Sequence, residues 1–361
     1  MSKKRYVPHP GVYILDIIEE MCITQSEFAA RVGLTSKNLS TLINGESNIT
    51  FDVAQKLANF FDNSVEGWIN LQTKYEIYKN EEIKENNLKE EYKIFRLFDK
   101  KFLMEVMGLE DKYILNEELI IKTRKMFNVS SLINLKNNNL YVNFKTSVSK
   151  EISEVNIIMR NAWISLAEQY ARSIKVNPFN KDKLIENLEL IRSLTTKKET
   201  PFSKDLKNLL ESIGIKLVVL PYLKNSNISG VTKWNSTDQS IMIAINDYGK
   251  SLDKIWFTLF HELGHAIKNH KRNFNITYID DCEMENEANN FAKFTLIPEK
   301  DYQQFIAKGH FSLLSINRFA KEIGVGNFIV VGRLQKDGFI KYSEYNDTKY
   351  LYGVDKRIFT L

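Results

Sequence analysis

Residues 255–270 read IWFTLFHELGHAIKNH, and the reading of the whole chain turns on them. If the stretch is helical, His261 and His265 stand four residues apart, one turn from each other on one face, where both imidazoles can grip a single zinc ion. Glu262 sits beside them. It is not a ligand in this spacing, and it is close enough to take a proton from an attacking water. The IWFTLF run ahead of the pair is apolar, so the helix is expected to be buried and the site dry.

A third ligand is needed. His270 falls one residue short of the longer spacing that would bring in a third histidine, and reads as a surface residue near the helix end. The next helix, which stops at Pro298, offers Glu283, Glu285 and Glu287. Glu285, Ala288 and Ala292 share one stripe, and its two alanines admit a neighbouring helix at close range. Glu287 shares another stripe with Phe291 and Phe294. Glu285 is therefore the preferred third ligand and Glu287 the alternative, with Asn289 placed to orient His265 from outside the ligand set. Cys282 reads as an ordinary loop cysteine.

Around this core, IKLVVLPYL, SGVTKW and QSIMIAIND are short branched runs bounded by turn formers and are expected to be strands. NFIVVGRLQKDGFIKY reads as a strand, or as a helix running into an edge strand, with a turn at Asp337-Gly338. Residues 201–345 thus form an α+β unit. Residues 76–200 read as a helical connector and packing layer. It holds an exposed helix with a stripe at Ile83, Leu88, Tyr92 and Phe95, a loop at 137–139 and a helix through Trp163.

Residues 8–75 read as a compact helical unit. Gln25–Val32 and Ser36–Ile43 form two short helices joined at Gly33, each preceded by a threonine suited to cap it, Thr24 and Thr35. Leu39 and Leu42 are the buried side of the second helix. Its other face presents Ser36, Lys37, Ser40 and Thr41, the short polar groups that a groove-reading helix needs, while the Gln25 side chain can hold a phosphate. Residues 1–80 hold eight basic and nine acidic side chains, so DNA affinity there depends on specific contacts doubled by a homodimer.

Composition sets the limits. With 361 residues, 43% hydrophobic and 26% charged, the chain is an ordinary globular one of two or three domains, which excludes disordered and collagen-like classes. Gly 15 and Pro 6 are low, so helices should dominate. No run approaches the ~18 apolar residues of a membrane span, and the basic start has no apolar stretch behind it. Two distant cysteines exclude a disulfide framework and point to the cytoplasm. The net charge of +5 permits an anionic partner without demanding one.

The stretch from Pro10 to Glu76 resembles the XRE-type helix-turn-helix of HigA antidotes in its Pro-Gly start, its Gln25 opening, its Asn44-Gly45 close and its Trp68…Leu71-Gln72 tail. That resemblance implies a five-helix, lambda-repressor-like domain that binds double-stranded operator DNA as a homodimer, with Asn44 joining the contact residues and a cognate toxin as partner. SGVTKW, IWFTLFHELGHAIKNH, ENEANNFAKFTLIP and IVVGRLQKDG resemble the ImmA/IrrE metallopeptidase domain. This second resemblance implies zinc, a gluzincin-like fold and cleavage of a regulatory protein such as a repressor. The expected molecule is mostly α with a C-terminal α+β part. It is a DNA-binding regulator carrying a zinc endopeptidase, and the alternative is a non-catalytic, operator- and toxin-binding antitoxin with a structural or sensory zinc.

Overall fold

The computed structural model describes residues 6–138, 140, 153–197, 204–268 and 281–349. Two compact units divide at Glu90/Glu91.

Among the described residues the first unit contains five helices: Pro10–Glu20 (α1), Gln25–Val32 (α2), Ser36–Ile43 (α3), Phe51–Phe61 (α4) and Val65–Phe95 (α5), the last of which runs on across the division. Their starts follow from local chemistry. The Thr24 hydroxyl accepts from Glu27 N at 3.2 Å and the Thr35 hydroxyl from Asn38 N at 3.1 Å, filling amides that a helix leaves open at its first turn. Gly33, at φ 77°, closes α2 in the left-handed conformation that glycine adopts at no steric cost. Ile14, Phe28, Leu39, Leu42, Leu57 and Trp68 form the core. Gly11 lies so close to α3 that a Cβ there would sit 2.1 Å from the Leu42 carbonyl oxygen. The break expected after residue 75 falls inside α5, which is 31 residues long, and the exposed helix expected next is its continuation.

In the second unit, Lys100–Met107 (α6) and Glu117–Met126 (α7) lead to Glu154–Ala171 (α8), Lys181–Glu186 (α9), Leu188–Ser193 (α10) and Lys204–Ile213 (α11). Three strands follow: Ile215–Leu220 (β1), Gly230–Asn235 (β2) and Ser240–Asn246 (β3). Leu252–Ile267 (α12), Asp281–Leu296 (α13), Glu299–Ala307 (α14), Leu313–Glu322 (α15) and Asn327–Lys336 (α16) complete it. The sheet order is β1-β3-β2. β1 and β3 are parallel, with Leu217 opposite Ile243, and β2 runs antiparallel to β3, with Thr232 opposite Ile243. Every residue of β1 and β3 is buried, as continuous apolar strands covered on both faces should be, whereas β2 is only partly buried at the edge.

Strand alternation sends Thr232 towards α12 and Lys233 towards Glu168 of α8, so the two helices lie on opposite faces of the sheet. The helix through Trp163 packs as a wall of this unit: Trp163 is fully buried and its Nε1 donates to the Pro221 carbonyl at 3.2 Å. Of the two readings open for the stretch after Gly326, a strand or a helix running into an edge strand, the structure has the helix, α16. Ile329, Val330, Val331 and Leu334 bury one side of it in the core behind α12, and among the described residues no strand stands beside it to pair with. No helix among the described residues is long and apolar enough to cross a membrane.

Candidate metal centre and nucleic-acid interface

Helices α12 and α13 pack tightly because their facing residues are small. Ala288 and Ala292 are fully buried, and a Cβ on Gly264 would meet Phe291 Cδ1 at 3.0 Å and Ala288 Cα at 3.2 Å. That closeness delivers Glu285 to the histidines. His261 Nε2 lies 3.2 Å from Glu285 Oε2, His265 Nε2 lies 3.4 Å from Glu285 Oε1, and the two Nε2 atoms are 3.1 Å apart. The three residues form a potential metal-binding group. Tetrahedral zinc with donors at about 2.0–2.1 Å would have donor–donor edges of about 3.3 Å, so the donor set fits that ion in kind and in spacing. Glu287 is elsewhere, 3.6 Å from Lys268 Nζ. His270 and the side chain of Cys282 lie outside the described residues.

The electrostatics match the geometry. Burial is the largest influence on His261 and acts to lower its pKa. The hydrogen bond to Glu285, the charges of Glu262 and Glu285 and the contact with Asn289 outweigh it, and the net shift is upward. Burial acts to raise the Glu285 carboxyl, but the hydrogen bonds and charges of His261 and His265 hold it far below the usual carboxylate range. Asn289 serves the histidine other than the one expected. Its Oδ1 faces His261 Nδ1 at 3.0 Å, not His265. Asn289 stands four residues beyond Glu285 on α13, and that places it over the first histidine of the pair. With Nδ1–H donating to Asn289, the His261 Nε2 lone pair is left for a metal.

Glu262 is 5% exposed and stands outside the His261–His265–Glu285 donor group. The Thr232 hydroxyl donates to its Oε2 at 2.6 Å and lies 3.1 Å from its carbonyl oxygen, while Gly230 leaves room for Oε1, which a Cβ there would approach to 2.7 Å. Sequence reasoning missed both residues. The available signal was their i,i+2 spacing in SGVTKW, which puts them on one face of the strand.

In the first unit, Gln25, Ser36, Lys37 and Asn44 are exposed, and Ser40 and Thr41 are half-buried. Asn38, overlooked in the sequence, is exposed beside Lys37. Thr41 has partners within its own domain. Its hydroxyl is engaged with the Asn38 carbonyl at 3.0 Å and with Ser47 Oγ at 3.1 Å, because α3 ends there and the following turn folds back onto it. Arg31 pairs with Glu27 on its own helix, and Lys56 with Asp52.

Residues 15–68 match the helix-turn-helix family, and residues 210–335 match the IrrE N-terminal-like domain. The chain joins an XRE-type helix-turn-helix domain to an IrrE N-terminal-like domain. The IrrE N-terminal-like match contains β1 to β3, Glu262, all three candidate ligands and nearly all of α16; the helix-turn-helix match contains α2 and α3 whole. The helix-turn-helix domain is one that binds DNA.

Two curated relatives each match about a fifth of the chain. Virulence-associated protein A' of Dichelobacter nodosus is 38% identical over 71 residues, 19% of this chain and 62% of that protein. An uncharacterized HTH-type transcriptional regulator of Haemophilus influenzae is 32% identical over 63 residues, 18% of this chain and 59% of that protein. The chain thus spans about three-fifths of the length of these relatives. A solved structure from Nostoc punctiforme, provisionally assigned as an antidote protein of a plasmid maintenance system, is 31% identical. It covers 25% of this chain and 93% of its own, with a TM-score of 0.22.

Proposed function

We propose that this chain is a DNA-binding transcriptional regulator whose IrrE N-terminal-like domain is a zinc endopeptidase acting on a regulatory protein partner, a repressor or a toxin. The observation that carries the reading is the buried Glu262 carboxylate, held by Thr232 beside the His261–His265–Glu285 group yet taking no part in it. A purely structural metal site has no use for such a carboxylate, and three protein ligands leave the open position that structural zinc sites fill.

Zinc held by His261, His265 and Glu285 would supply Lewis acidity to polarise the scissile carbonyl. Each protein group has a part of its own. The exposed edge of β2 receives the substrate as an added strand, passing over Gly230 and Thr232. Glu262 takes a proton from the attacking water as its oxygen bonds to the carbonyl carbon, then gives that proton to the departing amine nitrogen as the C–N bond breaks. Thr232 keeps Oε2 aimed, and Asn289 keeps His261 in one tautomer. In the first unit, α3 enters the major groove with Ser36, Lys37, Ser40 and Asn44 towards base edges, and Gln25 holds a phosphate. With acidic side chains outnumbering basic ones by nine to eight in residues 1–80, two copies are needed on one operator, and a homodimer follows.

The test is Glu262→Gln, which keeps shape and ligands but removes the base. It should bind zinc and operator as the parent does, while cleavage of the partner falls by about 10²–10⁴-fold. Identical partner length and promoter output in cells carrying parent or variant, under every stress that derepresses the promoter, would replace this reading with a non-catalytic antitoxin whose metal is structural or sensory.

A further inference from the structure

We propose that a cavity beside the metal centre is a specificity pocket for an acidic segment of the bound peptide, an inference that rests on the peptidase reading above. The cavity, of about 630 Å³, opens along the N-terminal half of α12. Ser229 and Thr258 line its near end. Ser229 immediately precedes β2, and Thr258 lies one helical turn before Glu262. A Cβ on Gly230 would meet Thr258 Cγ2 and Glu262 Oε1, each at 2.7 Å, so the cavity wall and the general base converge on that one glycine. A strand laid along β2 and running past Glu262 towards Ser229 continues into the cavity.

The charge of the lining selects what enters. Lys254, Lys293, Arg333, Lys336 and Lys349 face a single carboxylate, Asp253. Lys349 Nζ answers Asp253 at 2.7 Å. Arg333 Nε pairs with Asp337 at 2.6 Å and its Nη2 lies 3.6 Å from Glu299, both outside the lining, while its Nη1 has no hydrogen-bond partner among the described residues. Lys254, Lys293 and Lys336 have no carboxylate partner among the described residues. Lys254 lies over the Tyr248 ring at 5.6 Å and Lys293 over the Phe294 ring at 5.4 Å. Like charges gathered in one concave wall focus a positive potential and raise the local concentration of anionic groups. Between them Phe257, Leu296 and Ile329 supply apolar surface, which a bare anion cannot use. A peptide in which acidic and apolar side chains alternate meets both features.

The test uses the full chain carrying Glu262→Gln, so that binding is read without hydrolysis. Fluorescence anisotropy follows a labelled octapeptide of alternating glutamate and leucine, and the same peptide with glutamine for glutamate. The glutamate peptide is expected to bind more tightly. Lys254→Glu combined with Lys336→Glu, both exposed positions, should weaken it by about tenfold and leave the glutamine peptide unchanged. Zinc content and circular dichroism of that double variant report whether the fold survives. Equal binding of the two peptides, indifference of a folded double variant, or displacement by inorganic phosphate at the peptide's own Kd each overturns the proposal. The unmutated chain separates the two ideas: binding without cleavage keeps the pocket and removes the peptidase reading, whereas cleavage indifferent to glutamate removes the pocket alone.

Discussion

Removing the Asn289 side chain should weaken zinc binding while leaving every proposed ligand in place. Asn289 Oδ1 faces His261 Nδ1 at 3.0 Å, and that contact fixes which ring nitrogen carries the proton. In Asn289→Ala the imidazole is free to turn or to put its proton on Nε2, and each such state must be reversed before a metal can bind. Outer partners of ligating histidines typically contribute 10–100-fold in metal affinity. Asn289 is exposed, so water can replace part of the lost contact, and the loss belongs at the low end, about tenfold or ~1.4 kcal/mol. Asn289→Asp keeps the acceptor and adds charge, which strengthens His261 as a donor; its affinity should equal or exceed the parent's. The assay is competition for zinc against a chelating dye, at a pH where His261 is neutral, on the full chain. If Asn289→Ala binds within about twofold of the parent, or Asn289→Asp is as weak as Asn289→Ala, the contact does not organise the site.

Glu91 is fully buried and accepts from Arg124, from Ser131 and from Leu132 N at 2.8 Å; Glu91→Ala strands these donors and should cost the second unit about 3 kcal/mol in a urea melt, the low end for a broken buried pair because Arg124 is 30% exposed. Gly11→Ala drives a methyl into the Leu42 carbonyl oxygen and should separate α1 from α3, abolishing operator binding in a mobility-shift assay while zinc content is unchanged. In chelator-treated protein, the stabilisation given by Glu285 over Glu285→Gln should be greatest between about pH 4.5 and 6.5. His261, raised above 6.5, loses its part as pH climbs through the raised value, and Glu285, lowered below 4.5, loses its part as pH falls through the lowered one. A Tm difference that kept growing above neutrality would contradict that sign.

What the sequence disclosed and what it hid divide along the range of the interactions. The helix-turn-helix caps were legible because each is a contact between residues three apart: Thr24 with Glu27 N, Thr35 with Asn38 N. The placement of Glu285 was legible for a related reason, since Ala288 and Ala292 on its stripe forecast the close approach to Gly264. Helix α16 stayed open between strand and helix because a short apolar run such as NFIVVG fits a buried strand or a buried helix equally well. Only its seat in the core behind α12, a long-range fact, decides between them. The same holds for Glu91, which looks like one more surface charge on a charged helix until Arg124 and Ser131 arrive from 33 and 40 residues away.

Thr232 is the most instructive omission. Thirty residues separate it from Glu262, and its neighbours in SGVTKW carry no chemistry of their own. Alternation along β2 puts Gly230 and Thr232 on the face that meets α12, one as space and the other as a donor. The HExxH spacing on one helix specifies which groups can meet a metal, but the aim of Glu262 is set by a strand the motif does not include. The edge of that same strand is where the proposed substrate would be added, so substrate placement and base placement depend on one element. A change that shifts β2 should therefore impair binding and proton transfer together, whereas one at Glu285 or Asn289 of α13 should act through the metal site alone.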